Sequence, residues 1–108
     1  MKLTELGDII ADRKLSLKAN NGDLERTVNV LLGRPQVFSD SSDYYCPYQI
    51  KGAGDEKIRH VGGVDAFQAI HLALQTLGAE LQALNQKLDG KLHWDGDRDG
   101  SLGFPLSE

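Results

Sequence analysis

Apolar and polar positions follow two rhythms along this chain. From Ile9 to Lys18 they alternate, with Ala11, Leu15 and Leu17 on one face and Asp12, Lys14, Ser16 and Lys18 on the other. A period of two predicts a half-buried strand. Leu24 to Leu32 alternates again, with Val28, Val30 and Leu32 facing one way. Between them lies Asn20-Asn21-Gly22-Asp23, whose Asn-Gly pair supplies the positive φ angles of a tight hairpin turn. The two runs therefore read as a β-hairpin.

Further strands follow. Gly33-Arg34-Pro35 ends or kinks the second strand. Tyr44 to Lys51 predicts a third, with Cys46, Tyr48 and Ile50 on one face. Pro47 cannot donate to a ladder and so belongs at an edge or a bulge. After the turn Gly52-Ala53-Gly54-Asp55-Glu56, Lys57 to Val61 predicts a fourth. Short connections predict an antiparallel meander in chain order.

The rhythm then changes to alternating steps of three and four. Phe67, Ile70, Leu74, Leu77, Leu81, Leu84 and Leu88 form one apolar stripe between Gly62 and Gly90. That is the signature of a long amphipathic helix. Asp65 is placed to cap its start, with Gln68 completing a capping box, and Gly90 to stop it. Lys91 to Trp94 can add a short extended piece. The apolar Leu102-Gly103-Phe104-Pro105 is expected to fold back, since burying Trp94 or Phe104 gains roughly 1.5–3 kcal/mol each. The expected fold is α+β: a four-stranded antiparallel meander with one long helix packed on one face (β-β-β-β-α). The expected division of one domain is a mobile start (1–7), a sheet (8–61), a helix (64–89) and an acidic loop with the tail (90–108).

Composition narrows the class more than the function. A net charge of −4 argues against nucleic-acid or membrane-surface binding. No apolar run approaches the ~20 residues of a membrane span, and no secretory signal is visible. One cysteine, Cys46, cannot form an internal disulfide, which suits the cytoplasm. No cofactor is expected, with calcium the one exception weighed below.

Several short motifs occur in order: Tyr45-Cys46-Pro47-Tyr48-Gln49-Ile50, Gly54-Asp55-Glu56 with Arg59, Gly63-Val64-Asp65-Ala66, Gly78-Ala79-Glu80-Leu81 and Gly103-Phe104-Pro105. Over about residues 44–106 the chain resembles a family of small bacterial domains of unknown function. The first hairpin resembles that family only in being strand-like. The resemblance implies a bacterial or phage source and a stand-alone cytoplasmic protein, and carries no activity.

Four constellations are candidates for chemistry. Asp95, Asp97, Asp99 and Gly100 fit the opening positions of a calcium loop, but its twelfth position is Leu106 instead of a bidentate glutamate, and Glu108 comes too late. A solvated turn explains the same residues. Cys46 with His60 or His71 would make a nucleophilic pair only if the fold joined them. The glycines around Gly52 and Gly62 are better explained by turns than by anion binding. Tyr44, Tyr45 and Tyr48 cluster on one strand as a candidate binding surface, or as cover for the sheet.

The helix adds a fifth candidate. Ala69, Leu72, Thr76, Ala79 and Ala83 lie opposite the leucine stripe, where charge is sparse. They suit a homodimer with helices packed across a two-fold axis. The leading expectation is a non-enzymatic, protein-binding or accessory domain. A calcium-stabilised module comes next, and a small Cys/His enzyme last.

Overall fold

The hairpin frames the sheet in the computed structural model, which describes residues 3–105. β1 (Ile9–Lys18) and β2 (Leu24–Gly33) pair antiparallel, and Leu15, Leu17, Val28, Val30 and Leu32 bury on one face. Ala11, expected with them, is exposed at the rim of a shallow groove beside Leu74, Leu77 and Phe104. The turn is wider than predicted. Ala19 N–H donates to the Asp23 carbonyl and only Gly22 has positive φ, while the Asn21 side chain accepts from the Asp23 N–H at 3.0 Å.

β4 (Tyr44–Lys51) pairs with β2 along Tyr48–Lys51 and with the short β3 (Gln36–Val37) at Tyr44 and Tyr45. From Leu32 to Gln36 is four steps, and from Tyr48 to Tyr45 only three. β3 is thus the continuation of β2 beyond a one-residue bulge at Gly33-Arg34-Pro35. Pro47 sits opposite that bulge, where no N–H is demanded of it. This resolves its placement inside a strand that is paired on both sides. Gly33 is required there, because a Cβ would lie 2.7 Å from both Pro47 Cγ and the Leu6 carbonyl.

β5 (Arg59–Gly63) pairs with the other edge of β4, two residues later than predicted. β6 (Leu92–His93) pairs with β1 at Ser16 and Leu17. The meander order holds for the long strands, but among the described residues the sheet has six strands, not four. The extra two are the broken end of β2 and the short piece after the helix. Both are two residues long and carry no readable period.

α1 (Ala66–Lys87) lies over β4 and β5. The Asp65 carboxylate accepts from Gln68 N–H at 2.8 Å, and Gln68 reaches back to Val64 N–H rather than to the cap residue. At the other end Leu88 is the C-cap, and the backbone turns left-handed at Asp89 as well as at the predicted Gly90. The buried helix residues are Ala69, Ala73, Leu77, Gly78 and Leu81, with Ile70, Leu74, Leu84 and Leu88 partly buried beside them. Phe67, expected in the stripe, is 86% exposed. It stands at the edge of the stripe, in the first turn.

The β1 side of the same face is covered by irregular chain. Leu92, Leu102 and Phe104 are buried in the core. The Arg13 guanidinium lies 3.8 Å from the Trp94 ring centroid and 4.8 Å from that of Phe104, and it donates to the Leu102 carbonyl. Pro105 packs on the helix at Gly78, where a Cβ would meet its carbonyl at 2.7 Å. At the opposite end, Leu6 of the expected mobile start is buried. Residues 1–2 and 106–108, parts of that start and of the tail, lie outside the described residues.

Candidate functional site

Two strands, the turn between them and the helix build one open cleft of about 320 Å³. β4 contributes Tyr48 and Ile50, the β4–β5 turn Ala53 to Lys57, β5 Arg59, and α1 Glu80, Ala83, Leu84 and Lys87. The turn is tied down by Gln49, whose side-chain amide donates to the Glu56 carbonyl at 2.7 Å. It is also pressed against β2, since a Cβ at Gly52 would lie 2.7 Å from the Thr27 carbonyl.

A chain of polar contacts crosses the cleft. The Tyr48 hydroxyl donates to Glu80 Oε1 at 3.0 Å, and Arg59 Nε stands 3.9 Å from the same oxygen. Arg59 Nη2 donates to Asp55 Oδ2 at 2.9 Å, while Asp55 Oδ1 accepts from the Lys57 N–H at 3.0 Å. Burial, then the Glu80 charge, pushes the Tyr48 phenol well above its usual range. It therefore stays a donor. The Lys57 N–H bond, and then Arg59, hold Asp55 below the usual carboxylate range. The arrangement positions charges and offers a polar wall over an apolar floor. It holds no activated nucleophile.

The three predicted tyrosines do not form one surface. Tyr48 is buried with its hydroxyl bonded to Glu80, and Tyr44 is half-buried against the core. Tyr45 points to the other face, its ring tilted against Phe38 at 5.0 Å and edge-on to His60 at 5.8 Å, its hydroxyl donating to Gln36. The Cys46 thiol is fully buried and donates to the Gly33 carbonyl at 3.6 Å. Burial pushes it up to about 11. His60 sits among the rings and His71 is exposed on the helix, so no Cys-His pair is assembled.

The predicted dimer face divides. Ala69 is fully buried against Gly63 and cannot belong to it, because the helix is rotated towards its alanines. Leu72 and Thr76 are half-buried, and Ala79 and Ala83 are exposed. Ala83 also lines the cleft.

The acidic loop is shaped from within. Asp97 Oδ1 accepts from the N–H groups of Asp99 and Gly100, and Oδ2 accepts from that of Leu102. Asp99 accepts from Ser101 N–H at 3.0 Å, and the Ser101 hydroxyl leads the effects that hold it below the usual carboxylate range. Asp95 is exposed. Among the described residues no three His, Cys, Asp or Glu side chains come together as a metal site. Leu106 and Glu108 lie outside the described residues.

Sequence reasoning missed the Tyr48–Glu80–Arg59–Asp55 chain. Its one legible signal is Glu80 itself, a rare charge on an otherwise neutral stretch of helix. It also missed an exposed apolar end. Val64 and Phe67 flank the cap residue and are 67% and 86% exposed. Val37, 49% exposed, pairs with Tyr44, which pairs on its other side with Gly63.

Among the described residues no helix is long and apolar enough to cross a membrane. Neither the curated proteins nor the solved structures gave a match. The model of a domain of unknown function, DUF6968, matches residues 11–106, so the match takes in most of the first hairpin as well as the motif-bearing part. The chain belongs to the DUF6968 family.

Proposed function

We propose that the chain is a small non-enzymatic protein-binding or accessory domain of the bacterial cytoplasm, and that it binds through the end where α1 begins. One observation carries this reading: Phe67 and Val64 stand exposed on either side of Asp65, with Val37 one strand away across Tyr44. Scattered exposed apolar residues are ordinary, but an aromatic with aliphatic neighbours at one end makes a patch of the kind partners cover. Burying a phenylalanine gains roughly 1.5–3 kcal/mol, enough to anchor a small interface. The enzyme alternative has no support in the placement of Cys46, whose thiol faces the core.

A second copy is one partner this reading admits, either at this end or on Leu72, Thr76, Ala79 and Ala83. The test compares wild type, Phe67→Ser with Val64→Ser, and Leu72→Glu with Ala79→Glu. Light scattering reads self-association, and immobilised proteins are presented to lysate of the source cell. The reading expects the Phe67/Val64 variant to keep its melting temperature and lose the bound protein. It fails if wild type stays monomeric and captures nothing that this variant does not.

A further inference from the structure

The cleft offers a binding chemistry separate from the Phe67 end. Its acidic groups are largely engaged: both Asp55 oxygens accept bonds, and Glu80 Oε1 takes the Tyr48 hydroxyl beside Arg59. Arg59 is matched by those two carboxylates. Lys57 on the turn and Lys87 in the last turn of α1 both line the cleft. Among the described residues neither has a carboxylate within ion-pair distance. Lys87 is favoured at a helix C-terminus in any case, and the Lys57 charge acts on Asp55 from beyond ion-pair distance. Glu56 is the one lining carboxylate that makes no ion pair.

The aliphatic part of the lining is Ile50, Ala53, Ala83 and Leu84. The volume of about 320 Å³ is at the small end for ligand sites, which run from ~300 to ~1,000 Å³. It suits a group the size of one amino acid, not a nucleotide. The geometry points to a site for an aliphatic carboxylate, its branched apolar body on Ala53, Ala83 and Leu84 and its carboxylate between Lys57 and Lys87. A peptide chain ending in an aliphatic residue and a free aliphatic acid share this chemistry.

The experiment is a titration of the isotope-labelled protein, followed by amide NMR shifts, with N-acetyl-leucine, its uncharged amide, and isocaproate. The expected result is saturable movement of Ala53, Gly54, Lys57, Ala83 and Leu84 by the acids and not by the amide. Tighter binding of N-acetyl-leucine assigns a peptide end, and tighter binding of isocaproate a free acid. Replacing both exposed lysines (Lys57→Gln with Lys87→Gln) should weaken binding about three- to tenfold, and salt should weaken it too. Ala83→Leu, which keeps a good helix former, should fill the cleft and abolish binding. Unsaturable or scattered shifts, equal binding of the amide, or an undiminished affinity in the lysine variant would overturn the assignment.

Discussion

The core face of the sheet is covered twice, by different means. Over β4 and β5 lies a capped helix that buries Ala69, Ala73, Leu77 and Leu81 on one stripe. Over β1 lies irregular chain held by individual contacts: Arg13 between two rings, Asp97 gathering three N–H groups, Pro105 against Gly78. A helix satisfies its own backbone and needs its neighbours only for burial. The irregular cover must find a partner for each polar group separately. The first kind of cover tolerates change on its outer face, where the cleft and the exposed end are built. The second spends its side chains on its own shape.

The helix half should be the more sensitive to loss of a single core side chain. Leu77 is fully buried, and Leu77→Ala should cost roughly 2–5 kcal/mol in denaturant unfolding. A loss below about 1 kcal/mol, the range of surface changes, would mean that the helix does not close the core.

The tail half should respond to a single carboxylate. Asp97→Ala strands three N–H donors, one of them the part-buried Leu102 N–H, and should cost roughly 1–3 kcal/mol. Millimolar calcium should leave the wild-type melting temperature unchanged, because a ligand stabilises only by binding the native state. An upward shift abolished by Asp97→Ala would restore the calcium reading and reverse the account of what this loop is for.

The smallest effect compares the halves directly. Asp55 in the helix half and Asp99 in the tail half both have folded-state pKa values below the ordinary 3.8, through bonds from Lys57 N–H and from Ser101 respectively. Each contributes stability present above that ordinary value and lost as pH falls through the folded one. Acid unfolding should therefore begin later in Asp55→Asn and Asp99→Asn relative to their own neutral-pH stability. Identical acid profiles in wild type and both variants would show that neither bond matters.

What could be read in advance follows the same division. Val28, Val30 and Leu32 take their faces from period two, and Asp65 caps the helix as its chemistry predicts. The rotation of the helix was not legible. Phe67 and Ala69 were exchanged, because hydrophobicity alone ranks phenylalanine inside and alanine anywhere. Close approach of the helix backbone to β5 decides instead: a Cβ at Gly63 would lie 2.9 Å from the Ala69 Cα. Arg13, Trp94 and Phe104 have no shared rhythm, so their meeting was invisible. Of the cleft, Glu80 alone was conspicuous. Tyr48 and Arg59 were readable as strand residues, not as its partners.

The clasp on Arg13 has a consequence for how the molecule assembles. Its bond to the Leu102 carbonyl joins residues 89 apart in sequence. Pairing of β1 with β2, and of β4 with β5, closes only short loops, whereas this bond closes nearly the whole chain. Loop entropy makes such a contact expensive early and affordable only once the rest is in place. The irregular cover should then be the last part to dock and the first to open. Trp94 belongs to that cover, so its fluorescence should follow the final step of folding, while amide exchange in α1 follows the whole.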